Sequence, residues 1–84
     1  MTPHFHVGQC PSCRQGRLFL YRKVITGLIY GHCEECEWGY SSPDELAAGR
    51  GFLTLFDPDE AEAASHAQIR RSPWADAMIF VAGK

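Results

Sequence analysis

The pattern of apolar and polar residues predicts antiparallel strands in the first half of the chain. Segments that alternate, or that are rich in β-branched and aromatic residues, favour strands. Such segments occur at residues 5–9, 17–25 and 28–32 and around Trp38 and Tyr40. Thr26 and Gly27 form a turn signal between the second and third of them. We therefore expect residues 17–32 to form a hairpin, with one short strand before it and another after it.

The long strand at residues 17–25 has apolar residues on both of its faces. Side chains alternate along a strand, which places Leu18, Leu20 and Val24 on one face and Phe19, Tyr21 and Ile25 on the other. A sheet with one face in water needs only one apolar face. We therefore expect the second half of the chain to pack over one face of the sheet.

Signals for helices follow in the second half. The sequence Ser-Pro-Asp-Glu at residues 42–45 is a capping box with proline at the first helical position. Gly49 suits the end of the short helix that this box begins. Asp-Pro-Asp-Glu at residues 57–60 repeats the pattern and predicts a second helix that runs to about Arg70.

Two apolar segments permit more than one structure. Residues 52–56 suit either a strand or the end of the first helix. In residues 74–82, four apolar residues have helical spacing, whereas residues 78–81 equally suit a buried strand. The pattern alone leaves both alternatives open.

Two Cys-x-x-Cys pairs carry the chemistry of this chain. Cys10 and Cys13 form the first pair, Cys33 and Cys36 form the second, and nineteen residues separate the pairs. A hairpin of that length returns the second pair beside the first, as a four-thiolate zinc site requires. We predict one structural Zn²⁺ ion with all four cysteines as ligands, with iron in the same cage or disulfides as the alternatives. A thioredoxin-like redox pair needs a helix N-terminus, which neither pair has.

The segment from Cys10 to Cys36 resembles zinc ribbons. Cys-Pro-Ser-Cys-Arg-Gln-Gly-Arg-Leu resembles the first knuckle of that family, and Cys-Glu-Glu-Cys resembles the second. We expect Gly16 to adopt the positive φ that is common where a knuckle turns back into a strand. Four sulfur ligands leave zinc no open position for water or substrate, and the sequence contains no other catalytic grouping. It therefore predicts a protein that is not an enzyme.

These elements together predict a small α+β fold in one domain, residues 1–84. Residues 1–41 are expected to form the antiparallel sheet of the zinc ribbon, and residues 42–84 a helical tail packed on it. A chain of 84 residues buries a modest fraction of its surface. Small folds of this size often depend on a metal, which agrees with the cysteine pattern.

Charge is distributed unevenly along the chain, whose net charge is −2. Residues 1–32 carry four cations and no acid, residues 33–62 carry nine acids and one arginine, and residues 63–84 are again basic. A net-acidic protein binds duplex DNA at an electrostatic disadvantage. The N-terminus has no secretory signal and no stretch has the apolar length of a membrane span. We therefore expect a cytoplasmic protein that does not bind membranes.

The acidic residues surround the second knuckle and the start of the first helix. Together with two nearby aromatic residues they form the predicted partner-binding face: Glu34, Glu35, Glu37, Trp38, Tyr40, Asp44 and Glu45. Such a face suits a basic protein, and exposed tryptophan or tyrosine is a common interface anchor. Packing over the zinc site is the alternative for the two aromatic residues.

The segment Cys-Glu-Glu-Cys-Glu-Trp-Gly-Tyr-Ser-Ser-Pro-Asp-Glu-Leu is similar to small bacterial proteins with a ribbon and a short helical tail. Some of these resemble immunity proteins that neutralise polymorphic or contact-dependent toxins. The resemblance implies a bacterial inhibitor of a basic toxin domain, and it transfers no individual functional residue. The leading hypothesis is therefore a zinc-ribbon module for protein–protein interaction.

A nucleic-acid-binding ribbon is the alternative function. The hairpin supplies four cations and two rings for base stacking: Arg14, Arg17, Arg22, Lys23, Phe19 and Tyr21. A small subunit of a transcription or enzyme complex is a further possibility that the sequence does not separate from the leading hypothesis.

Overall fold

A computed structural model describes residues 4–54 and 60–82 of the chain. The described residues form seven strands: β1 (His4–Gln9), β2 (Arg17–Lys23), β3 (Ile29–Cys33), β4 (Trp38–Tyr40), β5 (Phe52–Leu53), β6 (Ala61–Ala63) and β7 (Phe80–Ala82). They also form two short helices and one 3₁₀ helix: α1 (Pro43–Ala48), α2 (His66–Arg70) and Pro73–Asp76. The predicted α+β fold is confirmed.

The strands form one antiparallel sheet in the order β5-β4-β3-β2-β1-β7. β2 and β3 are the central hairpin, with Leu18 opposite Cys33 and Arg22 opposite Ile29. β1 pairs with the first part of β2, whereas β6 pairs with Tyr21 to Lys23 in its last part. Both ends of the central strand therefore have partners, and the knuckle ends of β1, β2 and β3 meet.

One face of the sheet carries the core and is covered by the second half of the chain. Leu18 and Leu20 are fully buried there, together with Ile69 of α2 and Trp74 of the 3₁₀ helix. The indole N–H of Trp74 donates to the carbonyl of Ile29 at 3.1 Å. This packing confirms the expectation that the C-terminal half covers one face of the long strand.

The opposite face of the sheet carries a group of rings in contact with one another. The His4 ring lies 4.4 Å from that of Phe19, and the His6 ring lies 5.3 Å from it. Farther along the same face, Tyr21 contacts His32 with ring centroids 5.6 Å apart. Phe19 is buried in this group, so both faces of β2 are packed.

α1 forms where the capping signal predicts it. The hydroxyl of Ser42 accepts from the backbone N–H of Glu45 at 3.2 Å, which satisfies one of the free donors at the helix start. Gly49 closes the helix with a φ of 71°, a left-handed conformation that glycine adopts at little cost.

The predicted helix from Asp57 to Arg70 is wrong over much of its length. Its proposed cap at Asp57 lies outside the described residues, but Ala61–Ala63 is a strand and α2 begins only at His66. Ser65 caps α2 and forms a reciprocal capping box with Gln68. The last part of β2 has no partner in β1 and needs one for its backbone groups. Pairing with β6 supplies it and overrides the helical propensity of the alanines.

The two ambiguous segments also contribute strands. Within residues 52–56, Phe52–Leu53 is strand β5, and residues 55–56 lie outside the described part of the chain. Phe80–Ala82 is strand β7, which pairs with β1. Met78 and Val81 are exposed, which excludes a buried helical stripe. Residues 42–84 are thus not a purely helical tail, because three strands of the sheet come from them.

In the parts of the chain that the structure describes, every helix is too short or too polar to cross a lipid bilayer.

Candidate metal centre and its surroundings

The four cysteine side chains converge at the knuckle end of the sheet. The Sγ atoms of Cys10 and Cys36 are 3.8 Å apart, and those of Cys13 and Cys33 are 3.5 Å apart. All four sulfur atoms lie within 4.8 Å of one another. A tetrahedral ion with metal–sulfur bonds of about 2.3 Å has sulfur–sulfur edges of about 3.8 Å. The cluster therefore fits one metal ion, and the four predicted ligands are brought together.

The two knuckles have the same backbone turn. The residue after the second cysteine of each pair is left-handed, with a φ of 58° at Arg14 and 61° at Glu37. The prediction of a positive φ at Gly16 is wrong, because the left-handed position is two residues earlier. Gly16 is instead required because there is no space for a side chain. A Cβ at this position would lie 2.8 Å from Cys33 Sγ and 2.8 Å from Glu35 Cγ, both on the second knuckle.

Backbone N–H groups in each knuckle point at the sulfur atoms. Cys33 Sγ accepts from the N–H groups of Glu35 and Cys36, both at 3.4 Å. Backbone hydrogen bonds from Gly16 and Gln15 act on Cys13 in the same way. These hydrogen bonds stabilise the negative charge of thiolate sulfur atoms. The backbone of each turn therefore favours ionised cysteines.

The tendency to ionise differs among the thiols of the cluster. Hydrogen bonds from the backbone of Gly16 and Gln15 lower the pKa of Cys13 to about 6. Desolvation raises the pKa of Cys36 to about 12 and also raises the pKa of Cys33. One thiol of the group therefore ionises readily, while others resist ionisation beside it. A bound cation reverses that preference because it compensates the thiolate charge.

The site is closed and partly enclosed by the protein. Cys10 and Cys33 are fully buried and belong to the main hydrophobic core, while Cys13 and Cys36 pack against it. Four sulfurs complete a tetrahedral ion, so the arrangement can stabilise the fold and offers no position for substrate.

Glu34, the first residue of the predicted acidic face, forms hydrogen bonds within the molecule. It accepts from the backbone N–H of Arg17 at 2.9 Å and from its guanidinium at 3.0 Å. These bonds with Arg17 hold the pKa of the Glu34 carboxyl below its ordinary value. The pair was missed in the sequence, although the hairpin register that sets Leu18 opposite Cys33 places these residues side by side.

Two of the remaining predicted acids contact basic side chains within the molecule. Glu37 Oε1 lies 3.6 Å from His32 Nε2, and Glu45 forms an ion pair with Arg50 at 3.1 Å. Glu35 and Asp44 are exposed, and no described residue forms an ion pair with either of them. The predicted acidic face therefore contains fewer unpaired carboxylates than the sequence suggests.

The two predicted aromatic anchors have different surroundings. Tyr40 is only 2% exposed and belongs to the core, so its predicted role as an exposed anchor is corrected to the packing alternative. Trp38 is partly buried beside that core. It lines a groove of about 500 Å³ between the first knuckle and α1. This knuckle–helix groove consists of Pro11, Ser12, Trp38, Tyr40, Leu46, Ala47, Ala48 and Gly49.

The hairpin residues that suit nucleic acid are also partly engaged. Arg17 pairs with Glu34, and Arg22 donates to the Glu62 carboxylate at 3.1 Å. Lys23 Nζ lies 5.9 Å from the ring centroid of Tyr30. Phe19 is buried and Tyr21 is half-buried. Arg14 is exposed at the first knuckle. The structure does not assemble these residues into a free basic surface with exposed rings.

Comparisons of this chain with protein-family models, with curated proteins and with solved structures found no match. The resemblance to immunity proteins thus has no support from relatives, and the structural finding that bears on function is a cluster of four cysteines that could hold a metal ion.

Proposed function

We propose that the chain is a zinc-stabilised binding module that docks on a basic protein and inhibits it. The observation that supports this best is the closed four-sulfur cluster, since such a site supplies stability and no reactive position. If the metal only stabilises the fold, the function that we propose is the binding of a partner at the protein surface. Catalysis is therefore not part of the proposal.

Zinc is the metal that suits the cluster. It binds thiolates in closed tetrahedral sites and has no redox chemistry of its own. Elemental analysis of protein purified without added metal should give one zinc per chain. Cobalt substitution should then give the visible absorption of a tetrahedral four-thiolate ion. Protein that is folded with well under one metal per chain would contradict this part of the proposal.

The knuckle–helix groove is the proposed docking surface. Trp38, Pro11 and Leu46 give it an apolar lining, as the centre of an interface requires. Acidic residues lie beside it in the chain: Glu35 and Glu37 precede Trp38, while Asp44 and Glu45 precede Leu46. We expect Glu35 and Asp44, the two exposed acids of this set that form no ion pair with a described residue, to accelerate association with a basic partner, and the apolar centre to hold the complex.

The neighbouring gene provides a direct functional test. If a large open reading frame lies beside the gene for this chain, its C-terminal domain can be expressed alone and together with this protein. We expect the domain to be toxic alone and harmless in the pair. Toxicity that persists in the pair would contradict the inhibitor role for that neighbour.

Charge reversal locates the docking surface in the same complex. The double variant Glu35→Lys and Asp44→Lys should lower the association rate and make it less dependent on salt. Both carboxylates are exposed, and their replacement removes the electrostatic attraction of a basic partner. Glu60→Lys and Glu62→Lys make the same change in net charge in and just before β6, at residues that do not line the groove, and serve as the control for net charge. Because Glu62→Lys also removes the ion pair with Arg22, amide spectra must establish that this variant is folded. Trp38→Ala should raise the dissociation rate instead. Equal effects of both double variants would place the interface elsewhere.

A further inference from the structure

A groove of about 720 Å³ lies between the turn of the β2–β3 hairpin and the end of α2. One wall consists of residues 22–23 and 26–29, and the other of Gln68 and residues 71–73. This hairpin-turn groove shares no described residue with the cysteine cluster or with the knuckle–helix groove. Its volume lies in the range of about 300–1,000 Å³ that is typical of small-molecule sites. It is therefore a separate candidate site with room for a small ligand.

The charged residues that line this groove are all cationic. Among its described lining residues, Arg22, Lys23 and Arg71 are basic and none is acidic. The ammonium of Lys23 lies 5.9 Å from the ring centroid of Tyr30, which does not line the groove, so only the two arginines are taken as ligand contacts. They come from opposite walls, Arg22 from the hairpin and Arg71 from the residue after α2. Two guanidinium groups on facing walls favour an anionic ligand between them.

Both arginines have N–H donors that the fold does not use. Arg71 is exposed, and no described residue forms an ion pair with it. Arg22 donates to Glu62 through Nη1 at 3.1 Å, but its Nη2 lies 3.9 Å from the position of a Cβ at Gly27 in the groove wall. A guanidinium has five N–H donors. The ion pair with Glu62 therefore leaves donors of Arg22 for a ligand.

The rest of the groove provides a neutral donor and an apolar wall. The Oε1 atom of Gln68 accepts from the N–H of Ser65 at 2.9 Å, so the amide N–H groups of Gln68 remain as donors. The apolar contribution comes from Leu28, Ile29 and Pro73. No aromatic ring is among the described lining residues, so the wall suits an aliphatic group and offers no surface for base stacking.

We infer that the hairpin-turn groove binds a small organic phosphate, with its phosphate between Arg22 and Arg71 and an aliphatic body against Leu28. A carboxylate has two oxygens in one plane, which match a single guanidinium. A phosphate monoester has three terminal oxygens and accepts hydrogen bonds from both walls at once. The aliphatic wall adds contacts that a free phosphate ion cannot make. The inference is independent of the proposed basic partner, which is expected at the other groove.

Titration of the metal-loaded chain with butyl phosphate, followed by amide NMR, tests the inference. Saturable shifts are expected for the amide signals of Gly27, Leu28 and Arg71. Arg71→Gln should lower the affinity about tenfold, because hydrogen bonds to a charged group are lost. Arg70→Gln is the matched control, since Arg70 is also exposed, forms no ion pair with a described residue and does not line the groove. Its affinity should equal that of the unmodified chain.

Two further ligands separate the phosphate from the aliphatic body. Pentanoate carries a similar chain with a carboxylate, and inorganic phosphate has no chain, so both should bind more weakly than butyl phosphate. The inference would be overturned by the absence of saturable shifts at millimolar butyl phosphate, by equal affinity for all three ligands, or by equal losses in Arg70→Gln and Arg71→Gln. The comparison of ligands uses the unmodified chain, so it remains decisive even if a variant fails to fold.

Discussion

The sheet is held in two regions by different chemistry. At the knuckle end, four sulfur atoms converge on a site for one ion. Under the centre of the sheet, Trp74 packs 3.5 Å from the position of a Cβ at Gly31 and donates a hydrogen bond to Ile29. The first region is a site that fits an ion from outside the chain, and the second depends on apolar burial that the chain provides itself.

The difference shows what the second half of the chain adds to this sheet. Four thiols at the knuckle end resist joint ionisation without a cation, as the raised pKa of Cys36 indicates. Trp74 and the sulfurs of Cys10 and Cys33 nevertheless belong to one continuous core. We therefore expect the two regions to stabilise each other, and the following changes separate their contributions.

Removal of the metal should have the largest effect. Structural zinc in small modules supplies roughly 10–16 kcal/mol of apparent binding free energy, which exceeds the stability of most domains. A strong chelator should therefore abolish the far-UV circular dichroism of the sheet and the buried tryptophan fluorescence together. Persistence of the fluorescence signal after the metal has left would show that the Trp74 region is stable alone.

Trp74→Ala should be the most damaging single substitution outside the cysteines. Loss of a fully buried tryptophan side chain costs about 3–5 kcal/mol, and here the carbonyl of Ile29 also loses its donor. Thermal or denaturant unfolding of the metal-loaded protein measures the change. Trp38→Ala removes the same side chain from a partly buried position and is the control. Equal losses would mean that Trp74 has no special part in the core.

Gly16→Ala should weaken the metal site by a smaller amount. The added methyl group would meet Cys33 Sγ at 2.8 Å, and overpacking of this kind costs about 1–3 kcal/mol. Competition with a chromophoric chelator should show a lower metal affinity. Gly49→Ala provides the comparison, because a Cβ there meets nothing within 4 Å and only the left-handed φ of 71° opposes it. Metal affinity should be unchanged in that variant.

Ser42→Ala should destabilise only α1. Loss of an N-cap hydroxyl costs about 1 kcal/mol, and the N–H of Glu45 loses its acceptor. Denaturant unfolding should show this small loss with no change in metal affinity. Ser42→Asp restores an acceptor and should recover most of it, and an equally unstable Asp variant would argue against the capping role.

Glu34→Gln should give the smallest effect and a dependence on pH. Because Arg17 holds the pKa of the Glu34 carboxyl below its ordinary value, its stabilising contribution is present above that ordinary value. The contribution disappears as the pH falls through the lowered pKa. The free energy of unfolding, measured at several acidic pH values, should therefore depend less steeply on pH in the variant. Glu35→Gln is the control, because no described residue forms an ion pair with this exposed carboxylate, and an equal change in both variants would contradict the role of the Arg17–Glu34 pair.

The relation between sequence and structure differs among the elements. α1 follows from its cap and its terminal glycine because both signals act within one turn of the chain. β6 could not be predicted in this way, because Ala61–Ala63 becomes a strand only where β2 leaves its backbone unpaired. Tyr40 illustrates the same limit for the site. Its position beside acidic residues suggested exposure, but its place opposite Gly31 in the sheet buries it.

The sequence by itself predicted the central hairpin, the helix α1 and the four cysteines that converge in the structure, Cys10, Cys13, Cys33 and Cys36. Each depends on spacing over a few residues or on one hairpin that returns the chain to its start. Tertiary structure alone decided the strands β6 and β7, the pairing of Arg17 with Glu34 and the burial of Tyr40. These features depend on contacts between backbone edges and side chains that are far apart in the sequence, and local propensity carries no information about such contacts.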